Sequence, residues 1–152
     1  MIEINRLDKF FGPSGSFAGV LIFIAGIIMT FFSLTALFLV VFGAFIGFSY
    51  SGTSIDIENR KLRFANYLFG FIPMGKWIYI ESDMKIGLVF SGKTWRTFSK
   101  GNRAIDIVSK DIRMALFDKN SRVIMHIKKY KNQETATSDL HEYSHKLNIN
   151  VR

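Results

Sequence analysis

Between Lys9 and Asp56 the chain runs for 46 residues without a Lys, Arg, Asp, Glu or His. Most of these positions are Phe, Ile, Leu, Val, Ala or Gly. A helix at a wet surface carries a polar face, and no such face can be drawn here. One bilayer crossing takes about 20 apolar residues and two take about 40 plus a turn. The length therefore predicts a membrane hairpin of two helices. Ser33 and Thr35 interrupt the apolar run and mark the break near Phe31 to Thr35. The expected first helix is Ser14–Phe32, with Pro13 in its first turn, where a missing amide proton costs nothing. The expected second helix is Leu34–Tyr50, with Ser33 as its cap. A cleaved signal peptide fits poorly, because a second equally apolar run follows without a clear cleavage site.

So short a turn makes the two helices antiparallel neighbours. Gly19, Gly26, Gly43 and Gly47 are the candidate helix-packing positions, the last two at four-residue spacing. They can serve within the pair or against a partner's helix. An ion or charged-substrate path needs ionisable groups, and the run has none, which argues against a transporter acting alone. An anchor, or a subunit of a larger membrane assembly, remains compatible.

Charge sets the expected orientation. The net charge is +8, and residues 1–50 contribute nothing to it, because Arg6 and Lys9 balance Glu3 and Asp8. Arg60, Lys61 and Arg63 follow the second apolar run directly. The positive-inside tendency places this end in the cytoplasm, and two crossings return the N-terminus there too. The expectation is a multi-pass protein of the bacterial inner (cytoplasmic) membrane with both termini cytoplasmic. Its parts are a cytoplasmic segment over residues 1–13, the hairpin over 14–50 and a cytoplasmic domain over 51–152. The absence of Cys agrees with a reducing compartment.

Beyond Ser54 the hydrophobic period changes from helical to alternating. Expected strands are Ser54 to Glu58, Lys61 to Phe69, Trp77 to Ile80, Met84 to Phe90, Thr94 to Ser99, Asp111 to Phe117 and Arg122 to Lys128, with Ala104 to Val108 a short strand or an extended piece. Turns are expected at Asn59-Arg60-Lys61, Ser91-Gly92-Lys93, Gly101-Asn102 and Asp118 to Ser121. About seven antiparallel strands without intervening helices predict a sheet that curls to protect its edges. From Asn132 to Leu147 the apolar positions Ala136, Leu140, Tyr143 and Leu147 share one helical face.

Residues 51–150 resemble bacterial PH-like domains that follow a membrane helix pair. The resemblance is carried by Ile55 to Leu62, Tyr67-Leu68-Phe69-Gly70, Leu116 to Asn120, Val123 to Lys129 and the amphipathic terminal helix. It implies an all-β PH-like barrel of about seven strands, capped by the C-terminal helix. It does not imply phosphoinositide binding. The segment Tyr67 to Pro73 is more apolar than a free loop and suggests a contact surface.

Three patterns bear on chemistry. His141-Glu142-Tyr143-Ser144-His145 matches the letters of the zinc-protease motif, in which two His hold the metal and the Glu activates water. A third ligand and a cleft are also needed, and a short terminal helix offers neither, so a solvent-facing strip beside the core stripe is the plainer reading. Gly87-x-x-x-x-Gly92-Lys93-Thr94 has the spacing of a phosphate loop, but its surroundings are strand-like and no helix follows. Arg60, Lys61, Arg63, Lys128, Lys129 and Lys131 form two basic groups that can meet anionic lipid head groups. They alternate with acidic residues, and no nucleic-acid reader motif is present, so nucleic acid is not an expected partner. Trp77, Tyr79, Trp95 and Phe98 are expected to be packing residues. No catalytic set, metal or cofactor is expected. The functional expectation is a non-catalytic scaffold or accessory subunit that stabilises a membrane protein assembly, or alternatively an anionic-lipid-binding regulatory module.

Overall fold

The computed structural model describes the backbone of residues 2–98 and 104–152, and the side chains among them outside residues 92–110. The expected turn at Gly101-Asn102 and the side chains of Trp95 and Phe98 lie outside the described residues.

The strands form two sheets. The first contains β1 (Ile2–Lys9), β2 (Tyr50–Asp56), β3 (Lys61–Leu68) and β4 (Ile72–Met74) in that order, with β5 (Trp77–Tyr79) also pairing β3. The second contains β6 (Lys85–Phe98), β7 (Ala104–Phe117), β8 (Val123–Tyr130) and β9 (Asn150–Val151), in the order β8-β7-β6-β9. Neither sheet closes on itself or on the other. The expected PH-like barrel is therefore corrected to two open sheets.

Continuity of β6 and β7 is one reason. Ser91, Gly92 and Lys93 do not turn; they pair with Asp111, Lys110 and Ser109 within one unbroken antiparallel ladder from Lys85↔Phe117 to Phe98↔Ala104. Two pairs of short expected strands become one long antiparallel pair. The phosphate-loop spacing falls inside a continuous strand, without the helix N-terminus that would bind an anion. At the other end, Ile2–Lys9 adds an edge strand beside β2.

The chain divides into two compact units. One comprises Met1–Leu7, Gly52–Phe64 and Lys76–Arg152; the other comprises Asp8–Ser51 and Ala65–Gly75.

In the sheet unit, Ile55 and Leu62 of the first sheet form one core with Ile86, Met114, Leu116, Met125 and Ile127 of the second. Helix α3 (Gln133–Leu147) completes it with Ala136, Leu140, Tyr143 and Leu147, all buried. Asn148, at φ 49°, ends the helix in the left-handed region, a conformation Asn tolerates better than most residues. The chain then lays β9 parallel to β6, and the Arg152 amide donates to the Ile86 carbonyl at 2.9 Å. The buried Thr53 hydroxyl of β2 donates to the His126 carbonyl of β8 at 2.6 Å, a polar tie between the two sheets.

In the helical unit, α1 (Gly12–Thr30) packs against a 3-10 turn (Leu34–Ala36) that leads into α2 (Leu37–Phe48). At 1.5 Å per residue α1 is about 28 Å long and α2 about 18 Å, against a hydrocarbon core of about 30 Å. Among the described residues only α1 has the length and composition to cross a membrane. The expected two-crossing hairpin, and with it the multi-pass inner-membrane placement, is corrected on this point. Two local effects shorten the second helix. Ser33 does not cap it; its hydroxyl shares a 2.8 Å hydrogen bond with Thr35, and the next residues wind as a 3-10 turn. At the other end Ser49 is already extended, at ψ 135°.

The apolar segment Tyr67 to Pro73 belongs to this unit. Phe69 (φ 55°) and Gly70 (φ 84°) both have positive φ, as the centre of a type I′ turn requires, and the Phe71 amide donates to the Leu68 carbonyl at 3.2 Å. Phe disfavours that region. It is held there by its ring against Phe45, with centroids 5.5 Å apart, and by its amide donating to the Ser49 hydroxyl at 3.1 Å.

Candidate functional site

The glycines expected at a helix-packing face are used within the pair. A Cβ on Gly26 would lie 2.7 Å from the Val40 nitrogen, and one on Gly43 would lie 2.4 Å from the Phe23 nitrogen. Gly19 and Gly47 approach each other in the same way. With this seam filled, the side chains turned outward are apolar. Phe31, Phe32, Leu34 and Phe38 are 87, 88, 77 and 81% exposed, and Phe17, Leu21, Ile28 and Phe42 are exposed as well. Two of the hydroxyls are satisfied locally, while that of the buried Ser16 has no hydrogen-bond partner among the described residues. Thr30 back-bonds to the Gly26 carbonyl at 2.8 Å and Ser49 to the Phe45 carbonyl at 2.6 Å. Soluble monomers rarely expose an apolar patch so extensive, and one of this kind marks a membrane or protein contact.

The six basic candidates do not form one free patch. Arg60 reaches the Asn148 carbonyl at 3.3 Å. Lys61 lies 3.5 Å from Asp56, whose carboxyl is held below the usual range by Asn59 first and Lys61 after it. Lys61 and Arg63 both stand over the Trp77 ring, at 5.2 and 4.6 Å from its centroid. Strand register explains the clamp: Arg63 is directly opposite Trp77 on β5, and Lys61 is two residues away on the same face. Lys128 pairs with Asp139 at 2.6 Å and Lys129 with the buried Asp111 at 2.8 Å. Lys131 is exposed just after β8.

Around α3 the ion pair is part of a larger network. Asp139 also accepts from the Tyr130 hydroxyl at 3.0 Å, and Tyr143 donates to Glu3. Lys128, then Tyr130, hold the Asp139 carboxyl below its usual range. Burial, then the hydrogen bond to Asp139, push the Tyr130 phenol well above its ordinary value; burial, then Glu3, do the same to Tyr143.

His141 and His145 are both exposed, and Glu142 is paired with Lys146 at 2.5 Å. Among the described residues no cluster of three or more His, Cys, Asp or Glu is placed to hold a metal ion. His141, Glu142 and His145 line the wet side of α3, beside the buried Leu140, Tyr143 and Leu147.

Because the sheets do not close, a cleft of about 480 Å³ opens where β3 and β5 face the start of β8. Phe64, Ile78, Val123 and Met125 give it apolar walls, and Lys76 and His126 are its polar members. Its only sequence signal is apolar side chains on strands left with unclosed edges. Tyr79, expected to pack, is instead largely exposed. Comparison with protein-family models, curated proteins and solved structures finds no match for this chain.

Proposed function

We propose that this chain is a non-catalytic, membrane-attached module. Its helical unit contacts lipid, with α1 as the attaching element and α2 as a shorter companion. The covalently linked sheet unit is thereby held at a membrane surface as an interaction domain for a membrane protein assembly. The observation that carries this reading is the exposed Phe31, Phe32, Leu34 and Phe38 around the helix-pair turn. Removing a side chain of this size from water is worth about 1.5–3 kcal/mol, so a few such residues suffice for stable attachment. The turn carries no charge and no Trp or Tyr, the residue types that favour a water interface. Its two hydroxyls, on Ser33 and Thr35, satisfy each other. This composition suits a turn immersed in an apolar phase.

A lipid role for the basic residues has less support. Lys61, Arg63, Lys128 and Lys129 already have acidic or aromatic partners within the fold.

Flotation with phosphatidylcholine vesicles tests the proposal. The full chain is expected to float, and the triple substitution Phe31→Ser, Phe32→Ser, Phe38→Ser to remain largely in the dense fraction. If the wild-type chain stays monomeric in detergent-free buffer and ignores vesicles, the reading fails. Stable partners recovered from the native membrane in mild detergent would identify the assembly.

A further inference from the structure

We propose that the cleft between the two sheets binds a single-chain anionic amphiphile of the fatty-carboxylate class. Its volume of about 480 Å³ lies within the 300–1,000 Å³ typical of small-molecule sites. The walls, Phe64, Ile78, Val123 and Met125, offer aliphatic and aromatic carbon. Phe64, Ile78 and Val123 remain partly exposed, so the apolar surface is not consumed by the protein's own core. A polar ligand would strand its hydrogen-bonding groups against such walls, whereas an alkyl chain has none to strand.

The polar members of the cleft fix the sign of the head group. Lys76 is exposed, sits at the cleft and has no ion pair among the described residues. His126 supplies an imidazole from β8, and none of the described lining residues is acidic. This differs from the other basic groups, most of which are spoken for. An ammonium with no internal partner beside an apolar trough is complementary to a carboxylate at the end of a hydrocarbon chain. The size favours one chain over two.

All the described lining residues belong to the sheet unit, so the inference stands independently of membrane attachment. The test uses the full chain in digitonin, which has no alkyl chain to compete. A dodecanoate analogue carrying a photoreactive diazirine is cross-linked, and the labelled peptides are mapped. Saturable labelling is expected on the peptide containing Val123 to His126. Excess dodecanoate should compete, and dodecylammonium should not. Lys76→Gln is expected to weaken dodecanoate competition by about fivefold, the upper range for one exposed ion pair. Val123→Trp, which fills the exposed mouth, is expected to abolish the labelling while leaving the thermal transition in place. Labelling confined to helical peptides, or equal competition by dodecylammonium, overturns the proposal. Stronger competition by a lysophospholipid than by dodecanoate overturns the carboxylate assignment.

Discussion

Gly19 of α1 meets Gly47 of α2 so closely that a Cβ on Gly19 would stand 2.4 Å from the Gly47 nitrogen and 2.8 Å from its Cα. The obstructing atoms are backbone, so no rotamer change can make room. Gly19→Val and Gly43→Val should therefore force the helices apart. Overpacking typically costs 1–3 kcal/mol, and here the loss is expected at or above about 3 kcal/mol. Thermal unfolding followed by circular dichroism in detergent measures it. Ala18→Val, on the exposed side of α1, serves as the control and should change stability little.

The Trp77 clamp predicts coupling between residues that a lipid-binding patch would leave independent. Each cation over the ring is worth about 0.5–1 kcal/mol at a partly exposed site. Trp77→Leu should lower stability by about 1–2 kcal/mol. In a double-mutant cycle, Trp77→Leu with Arg63→Gln should show at least about 0.5 kcal/mol of coupling. Additive losses would mean that the stacking contributes nothing.

Asp139 gives the fold an acid-sensitive tie. Its folded-state pKa is lowered by Lys128 and Tyr130, so its contribution is present above the unfolded carboxylate value. It is lost as pH falls through the lowered folded value. Asp139→Asn should cost about 1 kcal/mol at neutral pH, because the pair is partly screened by solvent. Urea titrations between pH 7 and 2 should show the variant and the parent converging at the acid end.

At the alkaline end the sign reverses. Tyr130 and Tyr143 stay protonated in the fold beyond their ordinary value of about 10. The unfolded chain releases those protons first, so stability is full below about pH 10 and declines as pH rises above it. Tyrosinate absorbance in an alkaline titration should show a late component. Tyr130→Phe with Tyr143→Phe should remove it; an unchanged titration curve would refute the assignment.

Locally encoded parts of this fold were legible. The spacing of Ala136, Leu140, Tyr143 and Leu147 marks α3, since one wet face and one dry face leave a period that sequence carries. The turn at Asp118 to Ser121 is equally local, with the Asp118 carboxylate accepting the Asn120 and Arg122 amides at 2.8 and 2.9 Å. What depends on distant partners was not legible. Gly92-Lys93 has turn chemistry on its own, yet a ladder running the length of β7 overrides it. Ile2–Lys9 gains its strand from β2, more than forty positions along the chain. The basic candidates were readable as charges, but Trp77 and Asp139 become their partners only through strand register and helix docking. Closure of a barrel depends on which edges meet, and composition does not encode that. The cleft was invisible for the same reason.

The two helices depart from β1 and return into β2, which are neighbours in the first sheet. The Phe10 amide donates to the Ser49 carbonyl at 3.1 Å, and the Ser51 hydroxyl to the Asp8 carbonyl at 3.3 Å, so outgoing and returning chain are stitched together at the base. In genetic terms the helices are an insertion between two neighbouring strands. Whole turns can be added to or deleted from them without changing which strands pair, so the length of the apolar segment can vary while the first sheet keeps its register.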